Sequence, residues 1–387
     1  IGAGTGSSNT ANGYNALSGN TTGSNNSASG YQALSANTTG DWNTASGGYA
    51  LFTNTTGRYN AASGYGALNN NTTGEKNSAF GSKALLLNIT GNYNSASGAE
   101  ALRANTTGSY NTASGAYALY KNTTGSDNAA SGKDALYSNT TGYNNTASGV
   151  SALYNNTTGV DNTASGRQAL YSNTTGSRDA ASGYQALYSN TTGYDNSASG
   201  YQALYSNTTG YLNAASGSKA LLLNTTGIYN TGIGYQALYS NTTGSYNTAI
   251  GNNAKGSSET ATNQTVIGYG ATGVADNSVT LGNASVTKVY MGQDSAATVY
   301  AGGLNSTGTI TAGDITIPNT DGTSGQVLET DGNGTLSWAT SAAGASAIDG
   351  LSDAKLAGAN FTGSMLLGHQ TTGTLNAAQY NVGIGAG

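Results

Sequence analysis

The sequence predicts an all-β fold: a parallel β-solenoid (β-roll) of 17-residue coils, followed by a β-rich neck or shaft with a hairpin. Fourteen copies of a 17-residue unit run without a gap from Asn20 to Lys255. Every copy opens with Asn-x-Thr-Gly, and small apolar residues return at fixed positions within it. A short fixed period is typical of repeat proteins in which each unit stacks only on its neighbours.

The composition separates this chain from ordinary enzymes. Only 7% of its 387 residues are charged, whereas globular domains average about 25%. The absence of Cys excludes disulfides, thiolate metal sites and a cysteine nucleophile. The net charge of −5 offers no basic face for nucleic acid. No apolar run approaches the ~20 residues that cross a bilayer, so we expect no membrane insertion.

The repeated unit indicates which side chains face inward. Numbering each unit from its first Asn as offset 0 gives N-T-T-G-x-x-N-T-A-S-G-x-x-A-L-x-x. Offset 13 is always Ala, offset 14 is Leu in all copies but the last, and offset 8 is Ala except at Gly232. Charged residues occupy offsets 4, 5, 11, 12, 15 and 16, apart from Asp179 at offset 6 and Lys255 at offset 14. Because unpaired charges are rarely buried, we predict that offsets 8, 13 and 14 face inward.

Offsets 6 to 9 are predicted to form one short strand per coil, and the Thr-Gly and Ser-Gly pairs to form turns. One Leu and two Ala per coil cannot by themselves offset the entropy of ordering the backbone. We therefore expect hydrogen-bonded ladders of stacked Asn and Thr side chains. We also expect several chains to share one core, as a homotrimer that buries the Leu column. At about 4.8 Å per coil, the predicted coils would extend over roughly 70 Å.

Past the array the period shortens to 14 residues, between segments 263–268 (N-Q-T-V-I-G) and 277–282 (N-S-V-T-L-G). These segments resemble the N-S-V-A-I-G box of trimeric autotransporter adhesin heads, which are left-handed parallel β-rolls. The same box stands inside the array at 230–234 and 247–251. The resemblance implies a trimer and an inward-facing Ile in each box. Most units here carry Ser at that position, as at Ser29, Ser46 and Ser114.

The downstream sequence resembles bacteriophage tail fibres and related fibre proteins. Segments 281–292 (L-G-N-A-S-V-T-K-V-Y-M-G), 325–338 and 359–363 (A-N-F-T-G) carry this resemblance. It implies a fibre whose receptor-binding tip lies in a region outside this sequence.

These patterns divide the chain into five segments. They are the 17-residue β-roll at 1–255, its 14-residue end and neck at 256–292, a β-rich shaft with a hairpin at 293–340, a linker at 341–369, and the start of a second β-roll array at 370–387.

Three shorter sequence features predict local structure within these segments. The turn signal D-G-N-G at 331–334 predicts a hairpin. The Ala-rich stretch 342–356 is predicted to be a short helix or helical linker. Because 384–387 repeats 1–4 (I-G-A-G), we expect the sequence to be a fragment that stops where a second array begins.

Three features resemble functional motifs, and each has a structural interpretation that we favour. Residues 268–273 (G-Y-G-A-T-G) spell the dinucleotide fingerprint, but that loop must open a helix after a strand, so we interpret them as corner glycines. Asp331 and Asn333 lack the other ligands of a calcium loop and suit a turn. His369, the only histidine, is expected in an exposed loop. We predict no enzymatic activity, catalytic residue, metal site or cofactor.

Tyrosine recurs at offsets 5, 11 and 15. Rings one coil apart can stack into a ladder, and aromatic columns also suit the faces of sugars. We favour stacking or a contact between chains, with glycan binding as the alternative. The candidates at offset 15 are Tyr120, Tyr137, Tyr154, Tyr171, Tyr188 and Tyr205, with Tyr184, Tyr201 and Tyr235 at offset 11 and Tyr93 and Tyr110 at offset 5.

The Asn that opens each unit also begins an N-glycosylation sequon. We favour a turn with an Asn ladder, with a glycan coat on a eukaryotic secreted fibre as the alternative. The positions are Asn20, Asn37, Asn54, Asn71, Asn88, Asn105, Asn122, Asn139, Asn156, Asn173, Asn190, Asn207, Asn224 and Asn241.

These observations predict a structural and adhesive fibre shaft, part of a phage tail fibre on a virion or of another extracellular surface appendage. It would be a rigid spacer that associates with itself, as a homotrimer or a longer filament. Its tip would bind a glycan or protein receptor on a host surface. Two alternatives remain: a glycan-binding adhesin that uses its Tyr columns, and a subunit of an extracellular, glycosylated filament.

Overall fold

The computed structural model describes residues 5–289, 310–312, 315–317, 322–324, 326–333, 335–340, 354–356, 365–367 and 382–384. The chain divides into two compact units, Ile1–Val289 and Tyr290–Gly387. The described residues form strands and turns, with no helix among them. Accordingly, none of them belongs to a helix long and apolar enough to span a bilayer.

The first unit is a single parallel sheet of 17 strands, one from each coil. The strands are β1 (Thr10–Asn12), β2 (Ser27–Ser29), β3 (Thr44–Ser46), β4 (Ala61–Ser63), β5 (Ser78–Phe80), β6 (Ser95–Ser97), β7 (Thr112–Ser114), β8 (Ala129–Ser131), β9 (Thr146–Ser148), β10 (Thr163–Ser165), β11 (Ala180–Ser182), β12 (Ser197–Ser199), β13 (Ala214–Ser216), β14 (Thr231–Ile233), β15 (Thr248–Ile250), β16 (Gln264–Ile267) and β17 (Ser278–Leu281).

Each strand pairs with the next one along the chain, in register. Ala147, Ala164 and Ala181 stand opposite one another in β9, β10 and β11, a step of 17 residues. Between β16 and β17 the step is 14 residues, since Val266 stands opposite Thr280. The prediction of a parallel β-solenoid with one strand per 17-residue coil is therefore confirmed, as is the shorter period at its end.

Offsets 8, 13 and 14 line the interior, as predicted. Every offset-14 leucine from Leu17 to Leu221 is completely shielded from solvent, and Leu238 is 2% exposed. The same chain covers these leucines, because the alanines at offsets 8 and 13 of neighbouring coils form one continuous core with them. The expectation that a homotrimer is needed to bury the Leu column is therefore wrong.

The chain closes each coil with left-handed backbone at offsets 5, 10, 12 and 14. The offset-14 leucines all have φ between 51° and 54°, a conformation that costs an L-residue about 1–2 kcal/mol. Fully burying a leucine side chain returns about 1.5–3 kcal/mol. The backbone is also paired, since Leu136 N–H donates to the Ala152 carbonyl of the next coil at 3.0 Å. Burial thus offsets the strain of turning the chain at leucine.

The sheet has a second, outer face made by offsets 7 and 9. Successive residues of a strand point to opposite faces, so an inward Ala at offset 8 places both of its neighbours outward. Ile233, Ile250 and Ile267 occupy offset 9 and are 44%, 39% and 39% exposed. The inward Ile implied by the resemblance to adhesin heads is therefore wrong for this chain, because Ala, Gly232 or Val266 holds the inward position.

The described residues of the second unit form two two-stranded sheets and one three-stranded sheet. Strands β18 (Ile310–Ala312) and β19 (Ile315–Ile317) pair antiparallel, as do β20 (Gln326–Thr330) and β21 (Leu336–Thr340). Strand β23 (Met365–Leu367) lies between β22 (Ala354–Leu356), antiparallel to it, and β24 (Val382–Ile384), parallel to it.

The hairpin predicted in this unit is confirmed. Asp331 Oδ1 accepts hydrogen bonds from the backbone N–H groups of Asn333 at 2.8 Å and Thr335 at 3.0 Å. These bonds hold the pKa of Asp331 below its usual value. The predicted helix is wrong at residues 354–356, which form β22, while 341–353 lie outside the described residues, as does His369.

We expect Gly149→Ala, at offset 10, to lower the free energy of unfolding by roughly 2 kcal/mol or more. Gly149 has φ 136°, and a Cβ there would lie 2.6 Å from the Gly166 carbonyl oxygen. The matched control is Gly66→Ala at offset 12, where φ is 65° and the nearest atom is Leu86 Cδ1 at 3.4 Å. Urea unfolding followed by circular dichroism gives the comparison. Equal midpoints for the two variants would contradict the coil geometry.

Candidate functional site

The offset-15 tyrosines form one stacked column on the solenoid surface. Tyr120, Tyr137, Tyr154, Tyr171, Tyr188 and Tyr205 have centroid separations of 5.0–5.2 Å and interplanar angles of 4–11° between successive rings. All six side chains are half-buried. Burial, followed by the neighbouring phenols, raises the pKa of Tyr137 and Tyr188. The column is the ladder that the repeat predicts.

Stacking covers the ring faces against which a sugar would have to pack. Each inner ring of the column is covered on its two faces by the tyrosines of the preceding and the following coil. Arg103 lies over Tyr120, with its Cζ 5.5 Å from the ring centroid. Of the candidates at other offsets, Tyr184 stacks on Tyr201 at 5.4 Å and Tyr93 on Tyr110 at 4.9 Å. Tyr235 stacks on no described ring, because Ser218 and Asn252 occupy its offset in the neighbouring coils. The arrangement favours stacking over sugar binding along these columns.

Asparagines at offset 0 form a buried ladder along the inside of the coil. From Asn37 to Asn241, each side-chain Nδ2 donates to Oδ1 of the Asn one coil earlier at 2.7–3.0 Å. Its second hydrogen goes to the carbonyl of the Gly three residues on, as from Asn139 to Gly142 at 2.9 Å. These side chains are 0–3% exposed.

This burial bears on the predicted glycosylation positions. A glycan is attached to Nδ2, and in the folded chain both hydrogens of that nitrogen are donated inside the coil. The geometry therefore supports the ladder that we favour over a glycan coat on the folded coil. The mass of the intact protein decides between them.

A second buried ladder runs along offset 6, which the charge pattern alone did not place inside. In Asn128, Oδ1 accepts from the backbone N–H of Asn145 at 3.0 Å, and Nδ2 donates to the Gly142 carbonyl at 2.9 Å. Gly142 O accepts from Asn139 as well, so one carbonyl joins the two ladders. The sequence signal was the near-invariant Asn at this offset.

Asp179 interrupts the second ladder with a carboxyl group. It is 1% exposed, and it accepts hydrogen bonds from Asn196 N at 2.9 Å, Asn196 Nδ2 at 3.1 Å and Asn190 Nδ2 at 3.0 Å. An Asn here would donate to the Gly193 carbonyl, whereas a carboxylate has no hydrogen to give. Burial raises the pKa of Asp179 to about 7, and the protonated acid can restore the missing donor.

Two clefts open on the side of the coil formed by offsets 11 to 16. The first, about 340 Å³, is lined by Tyr49, Phe52, Tyr65, Gly66, Asn69, Lys83 and Leu86. The second, about 490 Å³, is lined by Gln236, Tyr239, Ser240, Asn253, Lys255, Gly270 and Thr272. Sequence reasoning missed both clefts, although their signal is present: Gly66 and Gly270 are glycines at offset 12, where other coils carry a side chain.

The remaining motifs take structural positions. Gly268, with φ 132°, is a corner glycine like those at offset 10 of the other coils, and the parallel sheet continues past it without a helix. The part of the chain that the structure describes contains no group of three or more His, Cys, Asp or Glu side chains placed to hold a metal ion. Comparison of the chain with protein-family models and with curated proteins finds no match.

We expect the stability of the protein to fall between pH 4 and pH 7 because of Asp179. Its folded-state pKa of about 7 lies above the ordinary 3.8, so over this range the folded chain keeps a proton that the unfolded chain has lost. The stabilisation is complete below about pH 4 and is lost as pH rises through 7, by on the order of a few kcal/mol. Thermal unfolding followed between pH 3 and pH 9 measures it.

Asp179→Asn should remove this pH dependence and raise the unfolding temperature at pH 8. The control is Asp161→Asn, the same change one coil earlier at an exposed offset 5, which should leave the wild-type pH profile in place. A pH profile of Asp179→Asn indistinguishable from wild type would contradict the buried carboxyl group.

Proposed function

We propose that this protein is a structural and adhesive fibre shaft, of a phage tail fibre or another extracellular surface appendage. It would act as a stiff, non-enzymatic spacer that presents a receptor-binding tip lying outside this sequence. The observation that supports this most is the unbroken, in-register pairing of strands β1 to β17. At about 4.8 Å per strand, these strands extend over roughly 77 Å, with hydrogen bonds joining every coil to the next.

We further propose that copies of the chain associate, as a homotrimer, through the outer face of the sheet. Most outer positions carry Ser, Thr or Ala, which allow close approach of another surface. At the C-terminal end of the sheet the face becomes apolar, with Ile233, Ile250, Ile267 and Leu281 each about two-fifths exposed. A contiguous exposed apolar patch of this kind is typical of a protein interface.

The alternative of a glycan-binding adhesin that uses the offset-15 column receives less support, because the ring faces of that column lie against one another. The alternative of a subunit in a longer filament shares the solenoid with our proposal. It differs in the assembly formed, which the experiment below distinguishes.

Multi-angle light scattering of the full chain should give three times the chain mass of 38.4 kDa. Replacing Ile233, Ile250 and Ile267 with Ser, the residue of most other coils at offset 9, should dissociate the trimer. Phe80→Ser is the matched control, because Phe80 occupies the same offset alone among serines, and the trimer should survive it. A monomeric wild-type protein would contradict the trimer, and an open-ended mass distribution would favour the filament.

A further inference from the structure

Glycine occurs at offset 12 in only two coils of the solenoid, at Gly66 and Gly270. Each of these glycines lines one of the two clefts described above. The coincidence points to the glycines as the cause of the clefts, since a missing side chain in one coil leaves a gap between the coils on either side.

Neither glycine is needed for the path of the backbone. The φ angles of Gly66 and Gly270 are 65° and 58°, while Gln185 and Gln236 at the same offset have φ 53° and 55°. The hydrogen bonding is also the same: Gly66 N–H donates to Gly48 O at 2.9 Å, as Gln185 N–H donates to Arg167 O at 3.0 Å. Coils with glutamine and coils with glycine therefore share one backbone conformation.

Packing does not require the glycines either. A Cβ on Gly66 would meet Leu86 Cδ1 at 3.4 Å and Lys83 Cγ at 3.8 Å, both in flexible side chains. A Cβ on Gly270 would meet only Asn283 Nδ2, at 3.9 Å. At offset 10, by contrast, the glycine is enforced by a close carbonyl, as at Gly149. At offset 12 the effect of glycine is the open space itself.

The cleft at Gly66 is rich in aromatic surface. The Tyr49 ring stands edge-on to Tyr65, with centroids 5.8 Å apart, and to Phe52 at 5.6 Å. The Tyr65 ring is 58% exposed, and no described ring is stacked face-to-face upon it. Lys83 supplies a positive charge beside these rings.

The cleft at Gly270 combines a tyrosine with several polar groups. Tyr239 has no ring contact among the described aromatic residues. Gln236 and Asn253, which carry amides, and Ser240 and Thr272, which carry hydroxyls, line the cleft with it. Lys255 stands at offset 14, where every earlier coil has leucine. The cleft therefore has an aromatic surface, neutral hydrogen-bonding groups and one cation.

The two lysines are available to an anion. Lys83 and Lys255 form no ion pair within the described residues, and no carboxylate lines either cleft. An aromatic ring packs against the C–H face of a sugar, amides and hydroxyls bind its hydroxyl groups, and a lysine ammonium pairs with an acidic substituent.

We propose that both clefts bind an acidic polysaccharide, one whose sugars carry carboxylate or sulfate groups. Gly66 and Gly270 lie 12 coils apart in the same column of the repeat, which is about 58 Å at 4.8 Å per coil. One long polysaccharide running along the solenoid reaches both clefts, so the second contact forms at high effective concentration. This binding does not rest on the proposed trimer, because the clefts use offsets 11 to 16 and the proposed trimer face uses offsets 7 and 9.

The test measures binding of the full chain to immobilised alginate, which carries carboxylates, to dextran sulfate, and to neutral dextran. We expect the wild-type protein to bind alginate or dextran sulfate, more weakly as salt is raised, and not neutral dextran. Gly66→Gln and Gly270→Gln fill one cleft each with the side chain found at this offset in Gln32, Gln168, Gln185, Gln202 and Gln236. Each single variant should bind a long polymer at least ~10-fold more weakly, since only one contact remains.

The double variant should lose binding altogether. The matched control is Ser151→Gln, which introduces the same side chain at offset 12 in a coil between the clefts, and its affinity should equal that of wild type. Lys83→Ala and Lys255→Ala, which leave the glycines in place, should each weaken binding to a similar extent as the glycine substitution in the same cleft. The proposal is overturned if wild type binds neither acidic polymer, if neutral dextran binds equally well, or if the folded double variant retains wild-type affinity.

Discussion

The structure depends on the pairing of buried asparagine amides along the coil axis. A solenoid with one short strand per coil leaves many backbone groups of its turns inside, and each of them needs a partner. The asparagines at offsets 0 and 6 supply those partners while also bonding to their own counterparts in the next coil. Since each ladder repeats at one coil height, a shift in register would leave every step without its partner.

The ladders explain why a thin apolar core is sufficient. Each coil buries only one leucine and two alanines, yet the shared carbonyl at offset 3 fixes two asparagines at once. The leucine turns in a left-handed conformation that its burial offsets, and glycine at offset 10 keeps successive coils in backbone contact. The offset-6 ladder is weakest at Asp179, where a carboxyl group replaces an amide.

Much of this fold could be predicted from the sequence because comparing fourteen units with one another gives the information that an alignment would give. The exclusion of charge placed offsets 8, 13 and 14 inside, and the D-G-N-G turn placed the hairpin. The leucine turns could not be predicted, because leucine carries no signal for positive φ. The predicted inward orientation of Ile233 and Ile250 was wrong because it followed the resemblance to adhesin heads. The alternation of side chains along the strand, with Ala or Gly inward at offset 8, places these residues outward.

The candidate sites were harder to predict than the fold. The stacked tyrosines were expected from their period, but only the ring geometry shows that their faces cover one another. The clefts at Gly66 and Gly270 were missed because a glycine in a glycine-rich repeat looks like one more turn. In three dimensions these two differ from the glycines at offsets 3 and 10 of the repeat array, since space rather than a carbonyl lies beside them. Single residues that differ from the repeat at a surface offset thus change the surface of the solenoid without changing its coil.

The buried ladders hold successive coils of one chain together in register. Amide hydrogen exchange, read peptide by peptide along the chain, tests it most directly. We expect strong and nearly uniform protection at offsets 6 to 9 and 14 through the central coils, declining only toward the ends of the array. Exchange of those central amides at the rate of an unfolded chain would contradict it.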